Sequence, residues 1–486
     1  MSNKKSGHIE QVNENLWRLD QGYLQGMRVP GLIYVSENLM AMAQKDNALN
    51  QVANVATLPG IVEASLAMPD IHWGYGFAIG GVAAFDPERG GIVSPGGVGY
   101  DINCGVRLIL SNLDASEVAD KIEPLVNRIF SNVPRGVGKG GDILLEGKKM
   151  EKILRDGARA VLKQGMCWES DLDKIEENGA LEGAEPDLVS KRALERGKKQ
   201  CGSLGSGNHF LELQIVDEIF DREAANASGL AEGMLTVMVH TGSRGLGHQI
   251  CDDTLRIMRD AVNKYGIELP DRQLACAPLT SKEGRQYLAE MACAANFAWA
   301  NRSILTHLIR DAFEKILGES AERLGIDVVY DVAHNIAKWE THTVDGKRKK
   351  LLVHRKGATR AFPSGHPDVP AQYRHIGQPV IIPGDMGSAS WVLRARQKAM
   401  EDTFGSTCHG AGRAMGRGEA KRTIDYNDLM KTMDSKGILV RTASRKDLVE
   451  EAPEAYKDVD EVVEVTHRSG ISTKVARLRP LAVVKG

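Results

Sequence analysis

The segment Tyr100-Asp101-Ile102-Asn103-Cys104-Gly105-Val106-Arg107 sets a carboxylate and a thiol three residues apart in a glycine-rich turn. The mostly apolar run 106–110 follows at once. A carboxylate and a thiol at the mouth of a strand are candidate ligands for a metal ion. Four further segments share this character. In the first, Gly205-Ser206-Gly207-Asn208-His209-Phe210-Leu211-Glu212 leads from a glycine turn through an Asn-His pair into a strand-like run. Next, Val237-Met238-Val239-His240 ends a buried-looking run on a histidine, and the glycine-rich turn after it carries Arg244. Val328-Val329-Tyr330-Asp331-Val332-Ala333-His334-Asn335 again ends on a histidine. The last, Ser406-Thr407-Cys408-His409-Gly410-Ala411-Gly412-Arg413, holds its histidine inside a glycine loop, where main-chain N–H groups can cradle a phosphate.

Taken singly, each segment also has a plain structural reading. A strand-end histidine is more often a satisfied core residue than a ligand. Cys201 and Cys408 read as small buried side chains, and the glycines as turn formers. Neither the glycines at 242–247 nor those at 410–416 have G-x-G-x-x-G spacing, and no GK[ST] follows a glycine loop. The conjunction carries more. Asp101, Cys104, His209, His240 and His334 together form a thiolate, imidazole and carboxylate set suited to first-row divalent ions. Five groups exceed what one tetrahedral ion needs, so two metals are expected. Arg244, Lys356, Arg360 and Arg413 supply candidate anion contacts. Two metals with an anion clamp suit phosphoryl transfer or phosphoester hydrolysis. His409 can serve as ligand, base or nucleophile, and its spacing leaves all three open.

The elements that must position these groups are legible in outline. Strands are expected at 105–110, 235–240, 326–332, 351–354 and 379–382 from their Val, Ile and Leu content. Helices are expected at 148–164 and from about 281 to 317, the second opened by a Thr280/Glu283 capping box. Asp345-Gly346 reads as a hairpin turn between 341–344 and 351–354, with the basic run 347–350 lengthening the loop to form its tip. The charged stretch 169–200 reads as an exposed insertion or subdomain. With 486 residues and no long linker, repeat or heptad, one domain of α+β class is expected, its mixed sheets flanked by helices around a central cleft.

Composition narrows the class of function. A net charge of −2 argues against a dominant basic nucleic-acid footprint while allowing a local patch. Seven scattered cysteines without CxxC spacing point to a reducing, cytoplasmic setting without disulfides. The opening Met-Ser-Asn-Lys-Lys-Ser-Gly-His lacks the apolar stretch of a signal peptide, and no run has the length of a membrane span.

At these same motifs the chain resembles the RtcB-type tRNA-splicing ligases. The resemblance extends through Met68-Pro69-Asp70-Ile71-His72-Trp73-Gly74-Tyr75-Gly76, His354-Arg355-Lys356-Gly357-Ala358-Thr359-Arg360, Pro383-Gly384-Asp385-Met386-Gly387 and Lys485-Gly486. It implies an enzyme that joins RNA 2′,3′-cyclic phosphate or 3′-phosphate ends to 5′-hydroxyl ends, using GTP and Mn²⁺. By resemblance, Cys104 bridges two manganese ions, Asp101 and His209 complete one site, and His240 and His334 complete the other. His409 is then the nucleophile that takes GMP. Asn208, Phe210, Leu211, Glu212, Asn335, Pro383, Gly384, Asp385, Met386, Ser390, Gly410, Ala411 and Gly412 are implied nucleotide contacts, with Tyr456 and Lys485 near the guanine. Asp70 is implied to be functionally important, with His72 beside it as a supporting group. RNA phosphates are expected at Arg244, Lys356, Arg360, Arg413 and the 347–350 tip. Asp385 stands where some members carry an uncharged residue. The small activating protein archease is a partner implied by the family. A dinuclear phosphoesterase and a non-catalytic RNA-binding module are the competing readings; only the ligase needs His409 to form a covalent bond.

Overall fold

Two large sheets both contribute residues to the site. The computed structural model describes residues 8–136, 138, 140–141 and 143–486; the opening segment weighed above lies largely outside them. The first sheet has the strand order Ile9–Asn13, Leu16–Leu19, Gly31–Ile33, Ser65–His72, Ile79–Phe85, Lys347–Lys356, Asn335–Val344. The second runs Asp327–Ala333, Gly105–Asp114, Met234–Thr241, Phe210–Ile219, Ser472–Lys485, Ser390–Ala395, Pro379–Ile382, with Leu439–Thr442 added parallel to Ser472–Lys485. Both sheets mix parallel and antiparallel pairs or helical cover, so the class is α+β, as expected from the sequence. A short pair, Ala358–Arg360 with Ser406–Cys408, lies at the site between them.

The central strands are buried on both faces, and this is why they read as continuous apolar runs rather than alternating ones. All five expected strands form, most of them longer than their apolar cores. The long helix Lys282–Leu317 packs behind the second sheet and is buried over most of its surface. Its six alanines between Ala289 and Ala300 let neighbouring elements approach closely. Ser281, not Thr280, is its N-cap: the Ser281 hydroxyl accepts from Gly284 N at 3.0 Å. Glu283 turns outward instead, pairing with Lys264 and Tyr265 at 2.8 Å each.

Two other expectations are corrected. The helix expected at 148–164 is broken into Lys148–Asp156 and Ala158–Leu162. Gly157 adopts φ +55° there, and a Cβ at that position would lie 2.0 Å from Gly179 O, so only glycine fits. The basic run 347–350 is not a loop. Asp345 and Gly346, both with positive φ, make a two-residue turn, and pairing begins at once with Val344 opposite Lys347. Lys349 is then bound to Asp86 at 2.6 Å.

The stretch 169–200 contributes buried charge to the body of the protein. Asp171 is clamped by Arg310 through two 2.8 Å bonds, and Glu176 binds Lys338 at 2.6 Å. Leu181 N donates to Asn296 of the long helix at 2.7 Å. All seven cysteines are free and buried. No helix among the described residues is long and apolar enough to cross a membrane.

Candidate active site

Four adjacent strands of the second sheet bring the candidate ligands to one edge. Asp101 and Cys104 close the turn leading into Gly105–Asp114, with Cys104 N donating to Asp101 O at 2.9 Å. Asn103 takes φ +52° inside this turn, a conformation asparagine tolerates better than most residues. His209 immediately precedes Phe210–Ile219, His240 lies at the end of Met234–Thr241, and His334 follows Asp327–Ala333. The register sets Val106 and Phe210 on either side of His240, and Ala333 opposite Gly105. Distant stretches of sequence thereby become neighbours in one row.

The ligand atoms form two groups that share Cys104. Those of Asp101, Cys104 and His209 lie within 4.8 Å of one another, as do those of Cys104, His240 and His334. His209 Nε2 is 2.8 Å from Asp101 Oδ2 and 3.4 Å from Cys104 Sγ. His240 Nε2 is 3.3 Å from Sγ and 3.3 Å from His334 Nε2. Burial raises the Asp101 carboxyl, but the hydrogen bond and charge of His209, with His248 and Arg244, more than offset it and hold it well below the usual carboxylate range. Burial and neighbouring imidazoles push His240 and His334 down, so both rings stay neutral. Burial and the Asp101 charge raise the Cys104 thiol.

The support for this row is also buried. Arg302, from the long helix, donates to the main-chain oxygens of Asn103 and Thr241, both at 2.9 Å. One guanidinium thus ties the Asp101–Cys104 turn to the strand carrying His240. Arg302 also clamps Asp331, which accepts from Arg107 at 2.8 Å. On the open side, Asp101 Oδ1 accepts from Ser243 N at 2.9 Å. This approach requires Gly242, where a Cβ would lie 2.5 Å from both Asp101 oxygens. Arg244 has φ +54°, a region that disfavours side chains, and its Nη1 lies 3.5 Å from His209 Nδ1.

His409 stands beside the second group, its ring centroid 4.8 Å from that of His334. Asp70, fully buried in the first sheet, uses one carboxylate oxygen to accept from both His409 Nδ1 and His409 N, the latter at 2.9 Å. With Nδ1 donating to the carboxylate, Nε2 keeps a free lone pair. His72 Nδ1 lies 2.8 Å from Asp70 O, and burial lowers this histidine to about 3, so it is neutral.

These groups line a cleft of about 440 Å³. Asn208, Phe210, Asn335, Pro383, Gly384, Asp385, Met386, Gly410, Ala411, Gly412, Arg413, Tyr456, Lys485 and Arg244 line it too. Asn335 is held by its own bonds to Asp101 O, 3.1 Å, and from Gly357 N, 2.9 Å. Asp385 accepts from Gly387 N at 2.8 Å and from the Ser388 hydroxyl at 2.7 Å, so its carboxylate closes its own turn. Leu211, Glu212 and Ser390 sit behind the wall. Gln214 bridges the last two, at 2.9 and 3.1 Å, and Ser390 Oγ accepts from Gly384 N at 3.2 Å. Burial pushes Glu212 up to about 8 despite the nearby Lys485 charge.

Two of the cations expected to hold RNA are not brought to the cleft. Lys356 is buried under it and donates to the main-chain oxygens of Tyr75 and Phe77. Arg360 is buried against Glu177 and Gln378, at 2.9 and 3.1 Å. Both lie within glycine-containing motifs, but those motifs turn their cations inward.

Comparison with known proteins finds relatives that match nearly the whole chain. A family model described as tRNA-splicing ligase RtcB matches residues 51–486. The chain belongs to the RtcB family. It is 56% identical over 480 residues to the tRNA-splicing ligase RtcB of Archaeoglobus fulgidus, covering 99% of each chain. The proteins of that name from Methanococcus maripaludis and Thermococcus kodakarensis are each 53% identical over 478 residues, covering 98% of this chain and 99% of theirs. The matched range spans every segment that lines the cleft.

Several lining residues carried no sequence signal: Arg417, Asp447, Glu450 and Glu451 all face the cleft. Tyr100 and His248, which stand inside the ligand-like segments without an expected chemical role, line it as well. Glu451 accepts from Tyr456 OH and from Arg413 at 3.3 Å, and lies 3.8 Å from Lys485 Nζ. An acidic doublet on a helix end reads as solvated surface until its cationic partners, distant in sequence, are placed around it.

Proposed function

We propose that this protein is a GTP-dependent RNA ligase that joins RNA 3′-phosphate or 2′,3′-cyclic phosphate ends to 5′-hydroxyl ends, as in tRNA splicing. The observation that carries this reading is the Asp70–His409 pair, set in the cleft beside the Cys104, His240 and His334 donors, in a chain of the RtcB family. Asp70 holds the proton on Nδ1 and leaves Nε2 to attack the α-phosphorus of GTP, with pyrophosphate departing. The ring gains positive charge as the N–P bond forms, and the adjacent carboxylate compensates it. A 2′,3′-cyclic phosphate end is first opened by water, which breaks the P–O2′ bond and leaves a 2′-hydroxyl and a 3′-phosphate. An oxygen of the RNA 3′-phosphate then displaces His409 from GMP and creates a phosphoanhydride. The 5′-hydroxyl attacks the 3′-phosphorus, GMP leaves and the phosphodiester is made.

The donor set fits divalent metal ions. Its nitrogen, sulfur and oxygen atoms are turned on one another, an arrangement of lone pairs that a cation would resolve. Asp101, Cys104 and His209 would hold one ion, and Cys104, His240 and His334 the other, with Mn²⁺ the ion the family resemblance implies. Bound ions would supply positive charge against the phosphate oxygens. Arg244 orients His209 from behind, and Tyr456, Lys485, Asn208 and the 383–386 turn shape the nucleotide wall.

The test is covalent labelling. Incubation with α-labelled GTP and Mn²⁺ should leave an acid-labile, alkali-stable label on the protein, and His409→Ala should remove it. An unlabelled wild-type protein that still opens cyclic phosphates would make it a phosphoesterase instead.

A further inference from the structure

On the far side of the donor row from His409, three aromatic rings form a strip at the cleft mouth. The half-buried Tyr100 ring lies 5.6 Å from Tyr75, edge to face at 71°, and 5.9 Å from His248, inclined at 35°. Tyr100 and His248 line the cleft next to Asp101, and His248 is exposed. Tyr75 sets the tilt of Tyr100 from behind. The exposed Arg196, which donates to Gln249 at 3.1 Å, acts on His248, and the exposed Arg259 acts on Tyr100 against the opposing charge of Asp252. The His409 chemistry does not use these rings, and of the three only His248 acts on a donor, through its charge on Asp101. An aromatic strip with cations at its border suits a nucleobase on the ring face and backbone phosphates on the arginines.

We propose that Tyr100, flanked by His248 and backed by Tyr75, is the shelf on which the first base of the 5′-hydroxyl RNA strand stacks. This rests on the ligase reading above and adds which strand lies where. In the last step the 5′-hydroxyl must enter in line, opposite the departing GMP. GMP leaves from the His409 side, where Gly410, Ala411 and Gly412 line the cleft. The attacking strand therefore comes from the Asp101 side, and Tyr100 adjoins Asp101 in the chain. Stacking on a ring face is indifferent to base identity, as joining varied RNA ends requires.

The experiment compares ligation of two 5′-hydroxyl strands, one intact and one with an abasic first nucleotide, by wild type, Tyr100→Leu and Tyr100→Trp. Guanylylation of the protein and GMP transfer to the 3′-phosphate strand are read in the same reactions. In the wild type the abasic strand should lose roughly 5- to 150-fold in kcat/KM, the range one base–aromatic stack produces. Tyr100→Leu should lose a similar factor on the intact strand and show no further loss on the abasic one, while Tyr100→Trp should restore the discrimination. An abasic strand joined by wild type as well as the intact one overturns the shelf, whatever the variants do. So does a Tyr100→Leu protein that keeps the full abasic penalty. Absence of guanylylation in the wild type would instead defeat the ligase reading itself.

Discussion

On the wall formed by Arg413, Glu451, Tyr456 and Lys485, every polar group already has a protein partner. Arg413 donates to Glu450 O at 2.7 Å as well as to Glu451, and Lys485 reaches Gly207 O at 3.4 Å. On the floor formed by Asp101, Cys104, His209, His240 and His334, the ligand atoms mainly meet one another. The wall is a finished surface whose shape selects a guest. The floor is a set of lone pairs and one raised thiol, held in place by Arg302 and Ser243, whose stability as a group depends on a cation. Changes to the floor should therefore be all-or-none, and changes to the wall graded.

The largest effect is expected at the one residue common to both donor groups. Cys104→Ala should lower Mn²⁺ affinity by more than the roughly 10- to 100-fold that follows removal of an outer partner of a metal ligand. It should abolish protein guanylylation. Calorimetric titration checks the first and α-labelled GTP the second. Binding of two ions at unchanged affinity would show that the two groups are independent and that the floor is not a unit.

Asp70→Asn comes next. The amide cannot hold the His409 ring as a carboxylate does, and it favours the tautomer that protonates Nε2. Guanylylation should slow by up to about 10⁴-fold, the loss that follows when an orienting carboxylate behind a histidine is made neutral. Metal affinity should hold, because Asp70 touches none of the five donors. Equal loss of metal binding would merge His409 with the floor.

A smaller, continuous effect follows from the Cys104 thiol. Burial and Asp101 raise it, so it is protonated at neutral pH and must release its proton to bind a cation. Affinity for Mn²⁺ should therefore rise with pH, by about tenfold per unit while the thiol stays protonated. The rise should be seen by titration from pH 6 to 8. A flat profile would mean that the ion is held by the carboxylate and imidazoles alone.

The contrast between floor and wall also explains what the sequence discloses. Ligands sit where apolar runs stop, so Asp101, Cys104, His209, His240 and His334 stand out one by one. Their convergence needs strand order, which no local pattern encodes: Asp327–Ala333 pairs with Gly105–Asp114 across more than 200 residues of chain. Arg302 is invisible for the same reason, being an ordinary helical arginine until Asn103, Thr241 and Asp331 surround it. Lys356 and Arg360 mislead in the opposite way. Belonging to a motif does not fix the direction of a side chain: Lys347–Lys356 is buried on both faces from Leu351 onward, as is the short strand Ala358–Arg360, so both cations are enclosed. Caps and turns carry one-residue uncertainty from sequence, since Thr280 and Ser281 offer the same hydroxyl.

Asp385 gives the finest test of the graded wall. Its carboxylate lines the cleft, yet both oxygens are taken by Gly387 N and the Ser388 hydroxyl, within its own turn. Asp385→Asn keeps an oxygen for Gly387 N, so the turn should survive and the KM for GTP should change by no more than about threefold, under 1 kcal/mol. A carboxylate aimed at the nucleotide would behave differently, because removing a negative charge beside a triphosphate in a partly buried site should tighten GTP by about tenfold or more. A small change in KM with unchanged Mn²⁺ affinity would place Asp385 in the scaffold of the wall. A tenfold gain would place its charge in the nucleotide's field, where it tunes affinity for the triphosphate.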